Sequence, residues 1–139
     1  MNCAFEFHDS TLQEVERRED GTGFLLFHAV VHRTQGELFR PGQESGYQYV
    51  RMHFTHMHVN GPLILDEYCL HGSITLDGQT TDHVLYLPLD YDGPVRLTLD
   101  LSPEYERTTI DAESIRAELE GEFERERVWE EDDIQGGGG

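Results

Sequence analysis

Histidine is the residue type that most invites chemistry in this chain, with eight in 139 residues. His56-Met57-His58 would place two imidazoles on the same face of one strand, with Cα atoms roughly 6.5–7 Å apart. A strand-borne pair of this kind holds a metal when a third ligand arrives from elsewhere. His71 or His83 would supply it if neighbouring strands bring them close. His56, His58, His71 and His83 are therefore the candidate ligands of a divalent transition metal. The competing reading places these histidines on a half-exposed sheet face beside Met52 and Phe54.

Other reactive types are less well arranged. Glu67, Cys69 and His71 alternate, so one strand would align acid, thiol and imidazole on one face. Alternate residues of an extended strand rarely converge as a nucleophile and base must, and a buried thiol is the other reading of Cys69. Ser45, in Gly42-Gln43-Glu44-Ser45-Gly46, stands three residues after the first glycine, where a nucleophile elbow requires two. His8-Asp9-Ser10 holds the three residue types of a triad, but consecutive residues do not converge as a triad does. Asp9 and Ser10 instead suit a side-chain-stabilised turn leading into Leu12. The carboxylates are abundant, yet no two are singled out for acid–base work. Arg33 and Arg40 flank the longest predicted loop and read as solvated loop arginines. No catalytic residue is assigned.

The inventory excludes whole mechanisms. All ten basic residues are arginine. Without lysine there is no Schiff base, P-loop lysine or kinase strand lysine. Gly21-Thr22-Gly23 lacks the third glycine of a dinucleotide fingerprint. Two cysteines make no disulfide scaffold, and a cytoplasmic setting keeps them reduced. Residues 1–102 carry 15 acids against six arginines and residues 103–139 carry 13 against four, which gives the net −18. Such a surface repels nucleic acid and anionic lipid and attracts a basic protein.

These residues must be positioned by strands, because period-two alternation runs through the chain. Leu85, Leu87, Leu89 and Tyr91, then Val95, Leu97, Leu99 and Leu101, predict a hairpin over 83–101 turning at Tyr91-Asp92-Gly93-Pro94. Ile64, Tyr68, Leu70, Ile74 and Leu76 share even positions, with Gly72 a bend or bulge. Tyr47 to Val59 is one predicted strand. Phe24 to Thr34, apolar on both faces, is another and should be central. Residues 35–46 form the longest loop. Residues 103–119 favour strands, with a helix near Ile115, Leu119 and Phe123 as the alternative. The prediction is an all-β fold, an antiparallel sandwich or barrel of about eight strands. It spans residues 1–129 as a single domain and is followed by an acidic, glycine-rich tail over 130–139. No signal peptide or membrane-length apolar run is visible, so a cytoplasmic location is expected.

The opening Phe5-Glu6-Phe7-His8-Asp9-Ser10-Thr11-Leu12, then Val15 and a glycine turn into an apolar strand, resembles the start of small bacterial β-rich domains. Some of these are similar to immunity proteins that neutralise toxins. The match covers about ten residues and implies an accessory binding domain, with the His-Asp-Ser turn serving the fold. The expected function is non-enzymatic binding of a basic protein, a toxin in its sharpest form. Carboxylates would stand in for phosphate, and Phe39, Arg40, Tyr47 and Tyr49 would be the partner-binding residues. A metal-binding barrel or metal-dependent enzyme using the His-x-His pair is the alternative. A small-ligand carrier and a homo-oligomer also remain open.

Overall fold

The computed structural model describes residues 3–33, 41–101 and 106–130. They form nine strands: β1 (Cys3–Arg17), β2 (Gly23–Arg33), β3 (Glu44–Thr55), β4 (His58–Asn60), β5 (Cys69–Leu76), β6 (Gln79–Asp82), β7 (Val84–Leu87), β8 (Leu89–Leu101) and β9 (Glu106–Val128). Among the described residues there is no helix, so none is long and apolar enough to cross a membrane. All pairings are antiparallel, in the order β6-β5-β8-β9-β3-β2-β1-β7, with β4 added alongside β9. The all-β expectation holds. Barrel closure does not, because the sheet stays open and rolls over one core.

Alternation creates that core. Leu25, Phe27, Ala29 and Val31 of β2 and Val50, Met52 and Phe54 of β3 turn inward, against Val95, Leu97, Leu99 and Leu101 of β8. Phe5 and Phe7 of β1 join them with rings edge-on at 4.8 Å. The roll brings β1 against β5, although they lie far apart in the strand order. A Cβ on Gly72 would run into the Phe7 ring, so glycine here permits close approach of the two layers. At the seam His83, at φ 72°, donates its N–H to Gly72 O at 3.0 Å and accepts from Phe7 N–H at 2.9 Å.

Several predicted elements change. The hairpin over 83–101 does not form: β7 pairs with β1, while β8 pairs with β5 and β9. Pro88 between them lacks the N–H a ladder needs, and Tyr91-Asp92-Gly93-Pro94 is a bulge within β8, not a turn. The strand predicted from Tyr47 to Val59 breaks at His56, at φ 50°, where Met57 N–H donates to Gly21 O. The predicted run to Leu76 begins as strand only at Cys69, and the bulge in it falls at Leu70. Residues 106–128 are one long strand, so the helical alternative is dropped. Phe24 to Thr34 is central as expected, β2 lying between β1 and β3. Of the predicted tail only Glu130 is described; of the predicted loop over 35–46, residues 35–40 lie outside the described residues, and its end from Glu44 is already strand β3.

Candidate functional site: an acidic aromatic groove on the outer face

Two bulges in one row of the sheet shape the outer face. On β1, Glu6 faces Val30 and Thr11 faces His28, so residues 7–10 stand opposite Ala29 alone. On β9, Glu120 faces Tyr49 and Glu124 faces Tyr47, so residues 121–123 stand opposite Gln48 alone. Ala29 and Gln48 are themselves partners. Extra residues on both flanks of one row bend the strands and increase local twist. Each bulge uses a left-handed residue, Asp9 at φ 64° and Gly121 at φ 77°. Each is also pinned by a side chain: Ser10 Oγ donates to Phe7 O at 2.6 Å, and Gln48 Nε2 donates to Gly121 O at 2.8 Å.

The outer face beside this row carries a groove of about 450 Å³ lined by Asp9, Thr11, His28, Tyr47 and Tyr68. Tyr47 and Tyr49 share a face because they are two apart on β3. His28 packs between them, stacked on Tyr47 at 5.4 Å and 10° and tilted against Tyr49 at 5.1 Å. Tyr68 arrives from the segment before β5 through an isolated bridge to Thr11. It is 57% exposed and Tyr49 is 41% exposed, which leaves aromatic surface open to a partner. The surroundings are anionic. Burial, then the Glu126 carboxylate that accepts the Tyr47 hydroxyl, then Asp9 and Tyr68, push the Tyr47 phenol above its ordinary range.

Tyr47 and Tyr49, the expected partner-binding residues, both lie on the outer face and pack against His28. Phe39 and Arg40 lie outside the described residues. Asp9, His28 and Tyr68 join Tyr47 in one groove that no local pattern in the sequence marks. Parity puts His28 on the outer face of β2, but only the pairing register sets it beside Tyr47. Asp9 was assigned to a turn; the structure makes that turn a bulge inside β1, pinned by Ser10 rather than by the aspartate.

The four candidate metal ligands separate into two places. His56 and His58 do not share one strand: His56 sits in the corner between β3 and β4, with Nε2 3.4 Å from Glu113 Oε2, while exposed His58 lies on β4 opposite Asp111. His71 and His83 do meet, with ring centroids 4.7 Å apart and planes at 72°. Their seam lies at Phe7, whereas His56 lies by Gly21, beyond the far end of β1 at Arg17. On β2 those levels fall at Ala29 and Gly23, six residues or about 20 Å of strand apart. Among the described residues no three His, Cys, Asp or Glu side chains are grouped to hold a metal ion.

Glu67, Cys69 and His71 do not align either. The bulge at Leu70 changes the parity, so Cys69 points inward with Gly72 and Ile74. Cys69 is fully buried, its thiol donates to His71 O, and burial pushes its pKa up to about 11. It is not available as a thiolate near neutral pH. Cys3 is also buried, and burial raises its thiol as well.

One acid–imidazole–hydroxyl alignment does form, from Glu6, His32 and Ser45 on three different strands. His32 Nδ1 is 2.5 Å from Ser45 Oγ, and His32 Nε2 is 3.7 Å from Glu6 Oε1. A Ser-His-acid relay has this order of groups. Here, however, Ser45 and His32 are only 5% and 4% exposed, and Trp129 Nε1 donates to the Ser45 hydroxyl at 2.7 Å. The alignment fastens the end of β9 to β2 and β3 and gives the hydroxyl no path to a substrate. No protein-family model, curated protein or solved structure matches the chain significantly.

Proposed function

We propose that this chain is a non-enzymatic binding protein whose partner is a basic protein, acting in the bacterial cytoplasm as an immunity-type neutraliser of a basic toxin. The groove walled by half-buried Tyr47 and exposed Tyr68, with Asp9 and Glu126 beside them, is the observation that carries the reading. Aromatic side chains supply contact area at little entropic cost, and tyrosine is enriched among residues that dominate binding energy. The acids around them favour positively charged partners and exclude nucleic acid. The same negative surface that a nuclease recognises in its substrate is offered here by carboxylates fixed on strands.

The test is association with a purified basic nuclease, and inhibition of its cleavage, from low to high salt. The expected result is an association rate that falls steeply with ionic strength, together with faster dissociation when Tyr49 is replaced by alanine. Rates indifferent to salt would remove the electrostatic basis of the proposal. The metal-binding alternative keeps only the His71–His83 contact in its favour, and elemental analysis of untagged protein would decide it.

A further inference from the structure

The chain already contains two aromatic–carboxylate sites filled by its own arginines, one on the outer face at Arg51 and one where Phe123 packs against the edge of the core. Arg51 lies over the Phe24 ring, Cζ to centroid 4.3 Å, while its guanidinium forks onto the Glu120 carboxylate, with Nη2 2.9 Å from Oε1. Arg33 lies over the Phe123 ring at 3.9 Å and pairs with Glu44 at 3.6 Å. Both combine the two contacts a guanidinium makes best, its flat face on a ring and its edge on a carboxylate. The groove at Tyr47 and Tyr68 has the same composition, with aromatic walls and the Asp9 carboxylate. Among the described residues no arginine is paired with Asp9, whose ion-pair contact is His8 at 3.5 Å.

We infer that this groove takes an arginine side chain from the partner, its guanidinium stacked on the tyrosine walls and hydrogen-bonded to Asp9. The inference rests on the reading of the chain as a binder of basic proteins and names the group recognised. Lysine fits less well. Its ammonium is a compact, strongly hydrated charge that cannot lie flat on a ring while forking onto a carboxylate. Steric access suits an arginine presented on a loop or strand end, since the groove is open to solvent along Tyr68 and Tyr49.

The experiment titrates the full chain with hexa-arginine, hexalysine and hexacitrulline peptides at low salt, following the tyrosine ring resonances by NMR. Hexa-arginine should bind about fivefold more tightly than hexalysine, and the neutral, isosteric citrulline peptide should not bind. Asp9→Asn and Tyr68→Ala should each weaken the arginine peptide by about fivefold. Tyr86→Ala, which removes an exposed tyrosine of β7, should leave it unchanged. Unaltered thermal unfolding of the Asp9 and Tyr68 variants establishes that the loss is local. Equal binding of arginine and lysine peptides, unaffected by Asp9→Asn and Tyr68→Ala, would overturn the groove assignment and leave the acidic-binder reading standing. Failure of both cationic peptides to bind would overturn both. Tighter binding after Arg40→Ala would assign the groove to the chain's own arginine and also defeat the proposal.

Discussion

The inner and outer faces of this one sheet are built to different rules. Inside, β1 and β5 approach until only glycine fits beneath the Phe7 ring, and Phe5, Phe7, Phe27 and Phe54 are sealed from water. Outside, rings and carboxylates are arranged in separate sites, one filled by Arg51 and one left open. Change on the inner face should therefore register as stability, and change at the open outer site as recognition. The contrast follows from alternation along the strands, which turns one set of side chains into the shared core and leaves the other facing solvent.

The largest effect is expected at the seam. Phe7→Ala should cost about 3–5 kcal/mol in urea unfolding, because the layers held apart by its ring cannot fully close. The same variant should expose Cys69 to a thiol reagent at neutral pH, where the parent protein reacts only through opening. A loss below about 1 kcal/mol would mean that the roll does not depend on this contact.

A smaller effect is expected where the outer face is buried. Ser45→Ala removes the acceptor of the Trp129 indole N–H and the partner of His32. It should cost about 1–3 kcal/mol, as for the loss of hydrogen bonds to a buried hydroxyl. The emission of Trp129, the single tryptophan, should shift to the red as the end of β9 loosens. Unchanged emission would place the fastening elsewhere.

The filled site should matter less again. Arg51→Ala is expected to cost about 1 kcal/mol or less, since the pair is partly solvated. Its signature is pH dependence. The hydrogen bond from Arg51 holds the Glu120 carboxyl below its ordinary value of 4.5. That contribution is fully present above the ordinary value and is lost as pH falls through the lowered one. The Arg51→Ala protein should thus lose less stability than the parent on acidification below about pH 4.5, and equal losses would show that the pair is idle. Tyr68→Ala should be the smallest perturbation of folding, within about 0.5 kcal/mol. A large loss of stability there would turn the open groove into a structural element and blur the contrast between the faces.

The strands themselves were legible because apolar alternation has a physical period. Leu25 to Val31, Val95 to Leu101 and the central place of β2 follow from it directly. The same alternation misled at Leu85 to Leu101. Two in-phase runs separated by turn residues look like a hairpin, yet hydrogen-bond partners are chosen among all strands, and β1 captured β7. Parity also failed wherever a bulge intervened. At Leu70 it reverses the faces of Cys69 and His71, and at Asp9 it converts a supposed turn into one wall of a groove.

From composition and patterning alone, this chain was committed to an antiparallel β fold with an anionic surface, and its lack of lysine removed several catalytic mechanisms. Those properties belong to single residues and to their local period. Which side chains share a site was decided only in three dimensions. Tyr68 reaches Thr11 across 57 positions, and His28 meets Tyr47 through the pairing register. Loop closure over such separations costs little extra entropy per residue, so local sequence carries almost no trace of which distant partner will be chosen.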